Sequence, residues 1–139
     1  MKPKLILALA LSSLAVLPLA AQAGPIDAQL ATYKAAAAAA DAQFTAFSAE
    51  RGKAFHNRAF GGGKPDTPAC ASCHNENPRA AGRAPTGKVI EPVALSATPT
   101  RYADPAKVEK WFTRNCKEVL GRACSPQEKG DWLTYMAGQ

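Results

Sequence analysis

Cys70, Cys73 and His74 stand together in the stretch CASCH, residues 70–74. Two thiols three residues apart, followed at once by an imidazole, form the attachment motif of a c-type haem. The thiols form thioethers with the two vinyl groups, and the histidine brings a ring nitrogen to the iron. Other chemistries also use a Cys-x-x-Cys pair. A redox dithiol belongs in a βαβ context, which this chain lacks. A zinc site would have to recruit His56 or the distant cysteines at poor spacing. The motif therefore predicts one covalent haem c, with Cys70 and Cys73 as its thioether residues and His74 as the proximal iron ligand. His74 is expected to donate its other ring N–H to a backbone carbonyl, with the loop around Pro78 to Pro85 supplying candidates.

The sixth iron position has three candidates. Met136 lies three residues from the terminus, where packing into a core is the plainer reading. His56 stands fourteen residues before Cys70, and an exposed histidine at a helix end is the plainer reading there. Asn115 falls on the stripe Val108, Trp111, Phe112, Cys116, Val119 of one helix, which places its carboxamide on a buried face. Such a group bonds to nearby backbone or faces the iron, because leaving it unpaired costs about 1–3 kcal/mol. Its neighbour Cys116 is eight residues from Cys124. A disulfide between them would tie the end of one helix to the start of the next, for about 2.5 kcal/mol of chain entropy.

These residues need helices to position them. Residues 26–55 are rich in helix formers and free of proline, which predicts an N-terminal helix or helix pair. GGGKPDTPA, residues 61–69, is a loop, and the proline-rich stretch 75–101 is mostly loop wrapped around a guest. Asp104-Pro105 begins a helix that Gly121 ends. Ser125-Pro126-Gln127-Glu128 has the form of a capping box and opens a last helix running to the end of the chain. No strand pattern and no repeat is visible. The fold class is all-α.

The start of the chain has a different purpose. Lys2 and Lys4, an apolar run from Leu5 to Leu19 and the small-residue site Ala21-Gln22-Ala23 make a secretory signal peptide over residues 1–23, cleaved after Ala23. A transmembrane helix fits less well, because Pro18 interrupts the run. Residues 24–139 then form one exported domain, periplasmic and able to keep a disulfide. The net charge of +6 falls to +4 without Lys2 and Lys4. That mild excess suits an acidic redox partner and gives no sign of nucleic acid.

With those pieces in place a family resemblance is specific. CASCHNENP, TGKVIEP, KVEKWFTRNCKEVLGRAC and EKGDWLTYM, spread over residues 70–139, resemble the sphaeroides haem protein family of exported monohaem cytochromes c. The alanine-rich start matches only loosely. The resemblance implies a class I cytochrome c-like fold, in which the N-terminal and C-terminal helices cross near a small residue, placing Gly52 and Phe55 against Trp132 or Tyr135. It implies His74 and Asn115 as iron ligands, beside a Cys116–Cys124 disulfide. It also implies redox-gated binding of O₂, NO or CO by a monomer that takes electrons from a dihaem cytochrome c and a membrane b-type cytochrome. Two other classes compete. One is a plain electron shuttle with Met136 or His56 in the sixth position. The other is a haem enzyme consuming NO or peroxide, for which no distal acid–base residue is evident.

Overall fold

The computed structural model describes residues 24–139, so the expected signal peptide lies outside the described residues. Four long helices form the frame: α1 (Pro25–Ala40), α2 (Ala49–Asn57), α4 (Pro105–Leu120) and α5 (Pro126–Ala137), with the short turn α3 (Ala71–His74) between them. The helix-rich stretch 26–55 is thus a pair, broken at residues 41–48. In α1, Ile26, Gln29, Tyr33 and Ala37 are buried at spacings of three and four, so the alanine tract follows helical periodicity into the core. The described part of the chain also has one feature the sequence reading omitted, a two-residue antiparallel ladder. It pairs β1 (Gly82–Arg83) with β2 (Val89–Ile90), Gly82 opposite Ile90. Four residues are too few for an alternating pattern to register.

The caps are where the residue types require them. Asp104 accepts N–H bonds from Ala106 (3.0 Å) and Lys107 (3.1 Å), and Pro105 fills the first turn of α4. Gly121 ends α4 in the left-handed conformation, φ 75°. At α5, Ser125 Oγ accepts from the Glu128 amide (3.1 Å) and Glu128 Oε2 accepts from the Ser125 amide (2.8 Å), completing the capping box.

α1 and α2 both pack on α5. Gly52 makes the second crossing possible: a methyl group there would overlap the Asp131 carbonyl and crowd Tyr135 Cβ at 2.9 Å. The expected Gly52 contact is therefore present. The ring that meets Trp132 and Tyr135 is His56, with centroids 6.2 and 6.0 Å apart, while Phe55 lies edge-on to Phe60. Asp131 locks the crossing by accepting from the Ser48 amide (2.7 Å) and from Arg51 Nε (2.8 Å) and Nη2 (2.9 Å). α4 joins through Phe112, edge-on to Trp132 at 5.5 Å and to Tyr33 at 6.0 Å.

Candidate haem site

CASCH forms a single helical turn. Cys70 already has helical backbone angles, and its carbonyl accepts the amides of Cys73 (3.3 Å) and His74 (3.1 Å). Residues three apart on such a turn share a side, so the two thiols are presented together. Both are free. Burial pushes the Cys70 thiol up to about 12 and raises Cys73 as well. A redox-active pair needs the opposite, a stabilised thiolate. Nor does any group of three or more Cys, His, Asp or Glu side chains able to hold a metal ion come together among the described residues, which leaves the zinc reading without a ligand set.

His74 has the protonation state that metal binding needs. Burial, then the positive charge of Arg101, lower its imidazole to about 4, so it is neutral near pH 7 and has no proton to lose before binding metal. Nδ1 is sealed from solvent without a hydrogen-bond partner among the described residues. The expected carbonyl acceptor is absent, and one reason is visible. The Pro78 carbonyl, on the loop expected to supply it, already accepts the amides of Val93 (3.0 Å) and Ala94 (2.9 Å). With two thiols on one side of a turn and a neutral imidazole next, these residues fit a c-type haem. Gly82 completes the turn. Strand β1 passes so close that a methyl group at residue 82 would overlap the Cys73 carbonyl and lie 2.9 Å from His74 Cα.

The backbone leaving the motif is held in a rare conformation. Asn75 has φ 68° and ψ 150°, and is the one non-glycine residue with positive φ among the described residues. Its amide donates to Ala71 O (3.0 Å), and its side-chain Oδ1 accepts from the Asn77 amide (3.1 Å). Its carbonyl lies 2.8 Å from His56 Nε2. His56 is therefore not the exposed helix-end residue expected from its position. It is fully buried, and its Nδ1 lies 3.1 Å from the Trp132 indole nitrogen. With both ring nitrogens engaged, His56 has none left for iron. Met136 is likewise fully buried in the core, as its place on α5 suggests.

On α4 the buried face carries Val108, Phe112, Cys116, Val119 and Leu120. Two members of the expected stripe depart from it. Trp111 is 46 % exposed, and Asn115, one turn later on the same side, is half-buried with no hydrogen bond from its carboxamide among the described residues. The reason is angular: residues 111 and 115 occupy the edge of the apolar face, away from α5. The exposed indole of Trp111 suits contact with a further apolar surface. The Cys116–Cys124 disulfide is formed, with a Cα–Cα distance of 5.5 Å. It braces the end of α4 against the start of α5. Loop 61–64 braces the same turns from outside, the Lys64 amide donating to Glu118 O at 2.8 Å. The sequence reading missed the Trp132–His56–Asn75 chain. Its only signal was helical spacing, since His56 follows Gly52 by one turn on the face that meets α5.

Comparison with known proteins agrees with this geometry. Residues 42–136 match a family model described as a domain of unknown function, DUF1924. The cytochrome c-type protein SHP of Cereibacter sphaeroides is 50 % identical over 111 residues, covering 79 % of this chain and 81 % of that protein. The structure of oxidized SHP, described as an oxygen binding cytochrome c, matches with a TM-score of 0.76 at 46 % identity, over 82 % of this chain and 96 % of that one. Cytochrome c'' of Methylophilus methylotrophus is 40 % identical over 105 residues, 75 % of this chain and 73 % of that protein. Its solution structure, concerned with haem-ligand detachment, gives a TM-score of 0.72 at 37 % identity, over 82 % of this chain and 93 % of that one. At these levels of identity and coverage, the chain belongs to the family of monohaem c-type cytochromes that includes SHP and cytochrome c''.

Proposed function

We propose that this exported, periplasmic cytochrome accepts an electron and then binds a diatomic gas at a coordination position that Asn115 guards. Cys70 and Cys73 hold haem c by thioether bonds, and His74 is the proximal ligand. Haem supplies an iron centre that cycles between ferric and ferrous and, when ferrous with an open position, takes O₂, NO or CO. Asn115 contributes a hard amide oxygen, a better donor to ferric than to ferrous iron. Its carboxamide holds in the oxidised protein and lets go on reduction. The electron donors are redox proteins, a dihaem cytochrome c and a membrane b-type cytochrome being the pair the family resemblance implies.

The observation that carries this reading is Asn115, half-buried with no hydrogen bond from its carboxamide among the described residues, beside the buried Cys116 bridge. A weak ligand needs a helix held in place by other bonds, and α4 has them on two sides. The relatives lend support, one being described as oxygen binding and the other studied for haem-ligand detachment. The shuttle alternative has little to stand on, since His56 is engaged at both nitrogens and Met136 is core.

The test is a visible spectrum of the purified haem-loaded protein, reduced and then exposed to CO. A high-spin ferrous spectrum with rapid CO binding is expected; a low-spin ferrous spectrum unmoved by CO would sink the proposal. Asn115→Ala should turn the ferric form high-spin or water-ligated, while Met136→Leu leaves it as it was. If the ferric spectrum of Asn115→Ala is unchanged, Asn115 is not the ligand.

A further inference from the structure

His56 is the most buried polar residue among the described residues, yet neither the thioether turn nor the proposed distal asparagine uses it. Its two bonds settle its proton. An indole nitrogen can only donate, so Trp132 Nε1–H donates to His56 Nδ1, and Nδ1 must be the unprotonated nitrogen. Nε2 then carries the hydrogen and donates to the Asn75 carbonyl at 2.8 Å. The imidazole is thereby held neutral and in one tautomer, its ring tilted against Trp132 and Tyr135.

The carbonyl it grips belongs to the residue directly after His74. Asn75 occupies backbone space at φ 68° and ψ 150°, close to a region that is nearly reserved for glycine. Such a conformation lasts only where its surroundings over-determine it, and three bonds meet here. The amide bond to Ala71 and the side-chain bond to Asn77 are local, within four residues. The His56 bond is different, because it ties the turn to α2 and, through Trp132, to α5. His74 Nδ1 has no hydrogen-bond partner among the described residues, which leaves the backbone that follows it as one restraint on its ring.

We propose that His56 is a positioning residue for the proximal side: oriented by Trp132, it pins the Asn75 carbonyl and so sets the plane of the His74 ring. This rests on His74 being the proximal ligand, as argued above, but not on Asn115 being released. The chemistry asked of position 56 is one donor and one acceptor on a single buried side chain. Glutamine can supply both; phenylalanine fills the space and supplies neither.

The experiment uses the haem-loaded ferric protein and reads the spread of its paramagnetically shifted haem methyl proton resonances. That spread follows the plane of an axial imidazole and does not depend on gas binding or turnover. His56→Phe should change the methyl spread and order, and His56→Gln should restore most of the wild-type pattern. Trp132→Phe, which frees Nδ1 but keeps a ring in the core, should give a smaller change in the same direction. A methyl pattern unaltered in His56→Phe, with only a lower melting temperature, would show His56 to be a core side chain and nothing more. If His56→Phe does not fold, the Trp132→Phe and His56→Gln spectra decide the matter: no shift in the first overturns the proposal. Absence of any histidine-ligand signature in the unmodified protein would instead overturn the assignment of His74.

Discussion

Gly82 belongs to the CASCH turn as much as the motif it covers. Strand β1 lies on the Cys73 carbonyl at a distance no side chain tolerates, so residue 82 decides whether the loop can close over the turn. Gly82→Ala should force the two segments apart at about 1–3 kcal/mol. Because the turn must be shaped for both thiols to react, the covalently bound haem per polypeptide should fall. Quantifying haem against protein after purification tests this; a fully loaded Gly82→Ala with an unchanged melting temperature would contradict it. At this scale the sequence was most readable where chemistry depends on local spacing. CASCH could be assigned because two thiols and an imidazole lie within five residues. Asn115 could be singled out from the stripe on its own helix, although its half-exposure was not visible there. The burial of His56 was not legible, because it depends on Trp132, 76 residues away.

Among the elements, α4 carries Asn115, the proposed distal residue, and what holds α4 is partly ionic. Glu109 of α4 accepts the Tyr33 hydroxyl of α1 at 2.7 Å and pairs with the Lys129 ammonium of α5. Burial alone would raise the Glu109 carboxyl, but the bonds from Lys129 and Tyr33 outweigh it and hold the carboxyl below its ordinary value. A carboxylate depressed in the folded state stabilises above the unfolded pKa of about 4.3 and stops doing so as pH falls through the lower folded value. Glu109→Gln should therefore cost roughly 1 kcal/mol near pH 7, kept small because the carboxylate is still open to solvent. The gap from the unmodified protein should close below about pH 4. Melting curves of both proteins at neutral and acid pH measure this, and a gap that persists in acid would mean the clasp is packing rather than charge. The helices themselves were largely legible, since Asp104-Pro105, Gly121 and Ser125-x-x-Glu128 are local signals. The clasp was not, because nothing in the sequence says that residues 33, 109 and 129 meet.

For the molecule as a whole, the α2–α5 crossing does two jobs. It joins the ends of the domain, and it carries His56 to the backbone that follows the haem-binding turn. Gly52 and His56 lie one turn apart on the same face of α2, so a displacement at one must be felt at the other. Gly52→Ala would drive a methyl group into the Asp131 carbonyl and Tyr135 Cβ, backbone and stem atoms that cannot swing aside. α2 must lift, at about 1–3 kcal/mol, which for a domain of this size is several degrees in melting temperature. The same lift should draw His56 from Trp132 and Asn75, altering the haem methyl resonances together with the stability. Gly130 provides the contrast. The nearest atoms a methyl group there meets all belong to the ring of Phe47, the tip of a half-buried side chain in the 41–48 connection. Gly130→Ala should cost less, because the ring can rotate away, and should leave the haem methyl pattern unchanged. Measuring both variants by thermal melting and proton NMR separates general destabilisation from loss of the proximal restraint. If Gly52→Ala lowers the melting temperature while its haem resonances match those of Gly130→Ala, the crossing serves stability alone.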